Sequence, residues 1–209
     1  DDSSSAATGG AVVTTRATTG FNVSLTWLCP QLFKMFTIGF ATTGSLNING
    51  GHGGILFFNN IPTFSISCQI PGVNNTQHPY VFFGNNASGT SWTSIIPTAS
   101  QTTTGSYLIS IGGQPALTTC EVTTIVYTLA ATPSFAGAVS TIITPEGTLV
   151  PSVGTQSLDV GGRPAIFYNI SAGSAGAGLY FLRADNAAGS AWTPANRVLI
   201  SPSPVPYTV

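Results

Sequence analysis

Residues 157–192, SLDVGGRPAIFYNISAGSAGAGLYFLRADNAAGSAW, carry the pattern that decides the fold. Two apolar runs flank Gly161-Gly162, and a glycine pair supplies the positive φ that a two-residue type I′ hairpin turn demands. Pro164 stands at the first residue of the second run, where a missing N–H is tolerated best. A Gly/Ala/Ser loop leads to a third run, LYFLR. The ending ADNAAGSAW then makes a tight turn whose Trp192 is expected to fold its apolar face onto a neighbouring sheet. The stretch predicts short antiparallel strands joined by tight turns.

Degraded copies lie upstream. SYLISIGGQPALTT (106–119) repeats the first strand, the Gly112-Gly113 pair and the proline, now Pro115. Its third strand is expected at AVSTIIT (138–144) and its closing turn at PEGTLV (145–150), without a Trp. An earlier copy is expected to begin at Ser45, with SLNINGGHGGILFF (45–58) set against SLDVGGRPAIFY (157–168) and its turn at Gly50-Gly51. A loop-rich insertion holding Pro62, Cys68 and Pro71 would lead to a third strand, PYVFF (79–83). GNNASGTSW (84–92) then matches ADNAAGSAW (184–192). At the N-terminal end, AVVTTRAT (11–18) and NVSLTW (22–27) match only the second half of a repeat, with Trp27 set against Trp192.

Gly112 and Gly161 are 49 positions apart, and Trp92 and Trp192 are 100 apart. A period near 50 with several short strands is the mark of propeller blades or related arrays. The expected fold is all-β: a repeat array of small antiparallel sheets, propeller-blade-like, of about three and a half repeats. A β-sandwich is the alternative. The chain divides into a flexible arm (1–10), a half repeat (11–44), a first repeat with an insertion (45–105), a second (106–156), and a third with a C-terminal tail (157–209), as one compact β unit.

Only 5% of the residues are Asp, Glu, Lys or Arg, where a typical soluble domain has about 25%. The net charge is −1. This excludes a basic nucleic-acid footprint and electrostatic steering of a charged partner. With 43% apolar residues the chain has enough to build a core, and it keeps few charges to hold its own copies apart. That balance points to copies of itself as the partner. No apolar run reaches the ~18 residues of a membrane helix. The nearest, LFKMFTIGF (32–40), is broken by Lys34 and Gly39, so no membrane span is expected. The chain opens on Asp1 without a leader and is expected to be a processed protein or an excerpt of a longer one.

Cys29, Cys68 and Cys120 make an odd count: one disulfide and one thiol in an oxidising compartment, or three small buried apolar residues in a reducing one. None has CxxC spacing, so no metal site and no cofactor is expected. Glycosylation sequons stand at Asn22, Asn74, Asn86 and Asn169. Those at Asn74 and Asn86 fall in expected loops, where a glycan fits.

The pattern GG-x-PAI-x-Y…LYFLRADNAAGSAW resembles the repeats of about 45–50 residues found in large bacterial surface and adhesin-like proteins, themselves similar to sialidase-type propeller blades. The likeness covers most of 45–192. It implies blade-like sheets, usually without a catalytic role. The sialidase Asp-box, S-x-D-x-G-x-T-W, is only echoed: Gly89 and Gly189 keep its glycine, and Ala87 and Ala187 replace its aspartate.

A sialidase-like site would draw on Arg16, Arg163, Arg183 and Arg197 for a carboxylate, with Glu121 or Glu146 beside Tyr168 or Tyr180 as the nucleophile pair. Arg16 and Arg183 share a repeat position, which a structural role explains more simply. Paired carboxylates for glycoside hydrolysis have few acids to draw on. His52, in the GGHGG turn, and His78, before Pro79, lack any nucleophile motif. Trp27, Trp92 and Trp192 suit a sugar-stacking platform, but their shared repeat position favours packing in the repeat core. No catalytic residue is assigned. The expected function is a non-enzymatic structural subunit, extracellular or on a cell or virion surface, that self-associates through strand edges. The alternative is a carbohydrate-binding or adhesion module with glycans as partners. Residues 11–27, or the strand around Arg197–Ile200, are the segments expected to add to a neighbouring copy.

Overall fold

The computed structural model describes residues 11–17, 20–29, 32–41, 47–49, 56–69, 78–97, 106–121, 123–149, 155–172 and 176–202; for 11–49, 68 and 69 it describes the backbone alone. The arm 1–10, His52 and Asn74 lie outside the described residues. The protein is all-β, and its described residues form four separate antiparallel sheets that follow one another along the chain. Among the described residues no helix is long and apolar enough to cross a membrane.

Sheet I is a meander of β1 (Ala11–Ala17), β2 (Gly20–Cys29) and β3 (Leu32–Ala41). It has three strands where half a repeat was expected, and the apolar run 32–40 is β3. Trp27 sits in β2 opposite Lys34, not in a closing turn, so its alignment with Trp192 does not hold. β1 pairs with β2 of its own chain and stands at one edge of the sheet.

Sheet II contains β4 (Asn47–Asn49), β5 (Leu56–Phe58), β6 (Ile61–Gln69), β7 (His78–Gly84) and β8 (Trp92–Ile95). Its order is β4-β6-β7-β8, with β5 also beside β6. The hairpin of this copy is Asn59-Asn60, with φ of 51° and 65°, not Gly50-Gly51. Asparagine tolerates the left-handed region better than other residues with a Cβ. Pro62 then falls on Pro115 and Pro164, each two residues past its turn pair. The supposed insertion therefore contains the second strand of the copy, β6.

Sheet III runs β9 (Ser106–Ile111), β10 (Gln114–Cys120), β11 (Ile125–Leu129) and β12 (Val139–Ile143) in sequential order. The third strand is β11, and the run expected to be third is the fourth, β12. The closing turn is 130–138, while 145–149 leads toward the next sheet, bridged by Leu149 to Ile170. Sheet IV runs β13 (Gln156–Asp159), β14 (Pro164–Ile170), β15 (Gly178–Arg183) and β16 (Val198–Ser201), with a 3-10 turn at Pro194–Asn196.

Sheets II, III and IV stack by their faces, as blades do. Strands alternate their side chains between faces, and sheet III has two apolar faces. One carries Ile109, Ile111, Ala116, Ile125 and Tyr127 against Ile166, Tyr168, Tyr180 and Leu182 of sheet IV. The other carries Leu108 and Leu117 against Phe58 and Val81 of sheet II. β9 touches both β13 and the β5/β6 pair, so the first strands lie together and the last strands lie outermost. Buried hydroxyls tie the layers: Ser157 donates to Thr118 at 2.7 Å, and Ser65 donates to the Ser106 carbonyl at 3.4 Å. The array is open, for among the described residues no strand pairs with a strand of another sheet.

Candidate functional site

The closing turns are the best-defined repeated feature. In 184–192 the Asp185 N–H donates to the Ala191 carbonyl at 2.9 Å, and the Gly189 N–H to the Asn186 carbonyl at 3.3 Å. Asn186 accepts from the Ser190 N–H and donates to the Ser190 hydroxyl, at 3.1 and 2.9 Å. Turn 84–92 repeats this with Asn85, Asn86, Gly89 and Thr90. Gly89 and Gly189 both sit at φ 64°. Asn86 and Asn186, one residue before the alanines at the Asp-box position, hold the turns.

Trp92 and Trp192 each donate from Nε1 to the carbonyl of that glycine, at 2.8 and 2.7 Å. Their rings are half-buried. Trp192 meets Tyr127 of sheet III edge-on at 5.6 Å, and Trp92 meets Phe64 of its own sheet at 5.5 Å. Each indole packs against a neighbouring aromatic ring and gives its N–H to backbone, which suits a packing role.

The chain brings together only part of the sialidase-like set. Arg197 donates to the Glu146 carbonyl at 3.1 Å, pairs with the Glu146 carboxylate at 3.2 Å, and lies over the Tyr180 ring at 4.6 Å. Tyr180 stacks on Tyr168 and donates its hydroxyl to the Gly176 carbonyl at 2.7 Å. Arg16 is in β1 of sheet I, Arg163 and Arg183 are exposed in sheet IV, and Glu121 accepts from the Thr124 hydroxyl. Burial pushes the Tyr168 phenol up, against a smaller opposite effect of the nearby Arg197. Its oxygen is enclosed and makes no direct hydrogen bond of good geometry, even to that arginine. A nucleophilic tyrosine needs access and a lowered pKa; Tyr168 has neither. The cluster instead ties the 144–149 segment and the β14–β15 loop to the start of β16. The sequence signal for this tie was slight, because Glu146 and Arg197 are 51 positions apart.

Of the sequons, Asn169 is 2% exposed, inside β14, and is closed to modification in the folded chain. Asn86 is exposed, but its amide is engaged with Thr90. Asn22 lies in the central strand of sheet I. Cys120 is buried, with its thiol donating to the Glu121 carbonyl. Cys29 ends β2, and Cys68 in β6 pairs with Ile48 and His78. Among the described residues no three His, Cys, Asp or Glu side chains gather as a metal would need.

The outer rim is different in kind. β8, β12 and β16 are the last strands of their sheets and form its edges. Five of the seven large apolar side chains exposed among the described residues are on two of them: Val139 and Ile142 on β12, and Val198, Leu199 and Ile200 on β16. No family model matches the chain, and no curated protein matches it.

Proposed function

We propose that this protein is a non-enzymatic structural subunit of an extracellular or surface assembly, such as a filament, a surface layer or a virion surface. Its copies associate through the outer strand edges. The observation that carries this reading is the concentration of exposed apolar side chains on the outer strands β12 and β16. An edge strand presents unpaired backbone donors and acceptors, and natural proteins blunt it with charge, especially lysine. This chain has one lysine, Lys34, in β3. With a net charge of −1, copies approach one another without electrostatic penalty.

Light scattering behind size-exclusion chromatography, with electron microscopy of the same fractions, tests the reading. The full chain should form larger species as concentration rises. A monodisperse monomer at every concentration overturns it, and such a monomer retained on a glycan array would establish the carbohydrate-binding alternative.

A further inference from the structure

The three outer edges differ in how far they are protected. β8, Trp92–Ile95, exposes Thr93 and Ser94, and the Thr93 hydroxyl is tied back to Asn85 at 2.7 Å. β16 pairs Tyr180 with Leu199 and Leu179 with Ser201, so Ile200 is an extra residue that bulges the strand. A bulge bends and twists an edge away from further pairing, and Pro202 follows at once. β12 has no bulge and no proline directly after it, and its Ser140 hydroxyl bonds Thr128 of the neighbouring β11 at 2.8 Å. Its five residues pair in unbroken register with β11, Ile125 opposite Ile143 through Leu129 opposite Val139. No charged residue occurs from Ile125 to Pro145. Val139 and Ile142 are 65% and 68% exposed, the two highest values among the exposed large apolar side chains.

Resting on the assembly reading above, we propose that β12 is the pairing edge, and that its occupant is β12 of a second copy, antiparallel across a two-fold axis through Thr141. The strand is self-complementary in that register. Thr141 faces Thr141 of the second copy, a favourable cross-strand pair. Val139 stands opposite Ile143 of the second copy, and Ser140 opposite Ile142. Sheet III then continues as eight strands through both molecules, four from each. An uncharged edge selects an uncharged strand, and β12 itself meets that requirement, whereas a partner chosen by charge would find nothing to read. Such a contact is isologous and closes at two copies. A pair of five-residue strands falls below the ~1,200 Å² of a stable interface, so the dimer forms only at high concentration.

Sedimentation equilibrium of the full chain tests this, with Ile142→Lys and Val139→Lys on β12 and Leu199→Lys on β16. All three positions are exposed, and far-UV circular dichroism selects the variants that fold; either β12 variant suffices. The expected result is a wild-type monomer–dimer equilibrium weakened about tenfold or more by a β12 lysine and left in place by Leu199→Lys. Loss of association with Leu199→Lys alone overturns the β12 assignment while leaving the assembly reading intact. A wild type that is monomeric throughout overturns both.

Discussion

The closing turns of sheets IV and III, residues 184–192 and 130–138, have similar backbone hydrogen bonding and different chemistry. In the first, glycine takes the left-handed position: Gly189 at φ 64°, its N–H bonded to the Asn186 carbonyl. In the second, Phe135 takes it at φ 52°, its N–H bonded to the Thr132 carbonyl at 3.0 Å. A phenylalanine with positive φ is strained. Its ring is compensated by burial among Phe58, Val81, Leu108 and Leu117. Sheet IV uses Trp192 to reach sheet III, and Ala138 stands in the Trp place of sheet III, with Phe135 reaching sheet II from inside the turn. One turn is held by local residue choice and the other by packing from outside. The lesson is that the repeat conserves a backbone route, and two physical means keep it.

The sharpest break of this comparison is Gly189→Val. A Cβ there would collide with the Tyr127 ring and Pro164, on a backbone that L-residues avoid. The expected cost is about 4 kcal/mol, from overpacking and φ strain together, read as a lowered urea midpoint; an unchanged midpoint would refute the equivalence of the turns. Trp192→Ala follows at about 3 kcal/mol, discounted from a full core Trp because the ring is half-buried. Near-UV circular dichroism should change with it, since Tyr127 loses its edge-on partner. Phe135→Gly tests the other turn. Relief of strain offsets part of the lost burial, leaving a net loss of about 2 kcal/mol; a gain in stability would mean the ring contributes nothing.

Smaller effects separate the two means of holding the turn. Asn186→Ala should cost about 1 kcal/mol, because its side chain bonds Ser190 twice. Thr132→Ala should cost a few tenths at most, since the turn uses the Thr132 carbonyl and its hydroxyl pairs only with Ser134. Equal losses would erase the distinction. Last, Tyr127→Phe should be neutral or stabilising by up to about 1 kcal/mol, because the Tyr127 hydroxyl is buried without a partner. Burial, aided by Asp159, pushes this phenol above its ordinary value of 10.0. Its contribution is therefore complete below pH 10 and declines as pH rises beyond it. Wild-type stability should fall above pH 10, and the fall should be shallower in Tyr127→Phe, measured by denaturation at successive pH values.

Much of sheet IV was legible in the sequence. Gly161-Gly162, Pro164 and the turn around Gly189 each mark a backbone requirement met by nearly one residue type. Sheet II misled because asparagine replaces glycine at its hairpin, and the glycine-rich GGHGG nearby drew the alignment away. Sheet III misled because Phe135 and Ala138 erase the Gly and Trp of its closing turn, so its fourth strand passed for its third. The candidate edge was half legible. The uncharged run from Ile125 to Pro145 is plain in the sequence, but the bulge at Ile200 appears only once β16 is paired with β15.

The sequence by itself determined that the chain is built of short antiparallel strands with a period near 50, because positive φ, proline and period-two alternation are local demands that restrict residue choice on the spot. The tertiary structure alone decided which run pairs with which, which copy of a turn is held from outside, and which strands are left at the rim. Those outcomes depend on contacts between residues tens of positions apart, and many apolar side chains satisfy such a contact equally well, so no single residue records the choice.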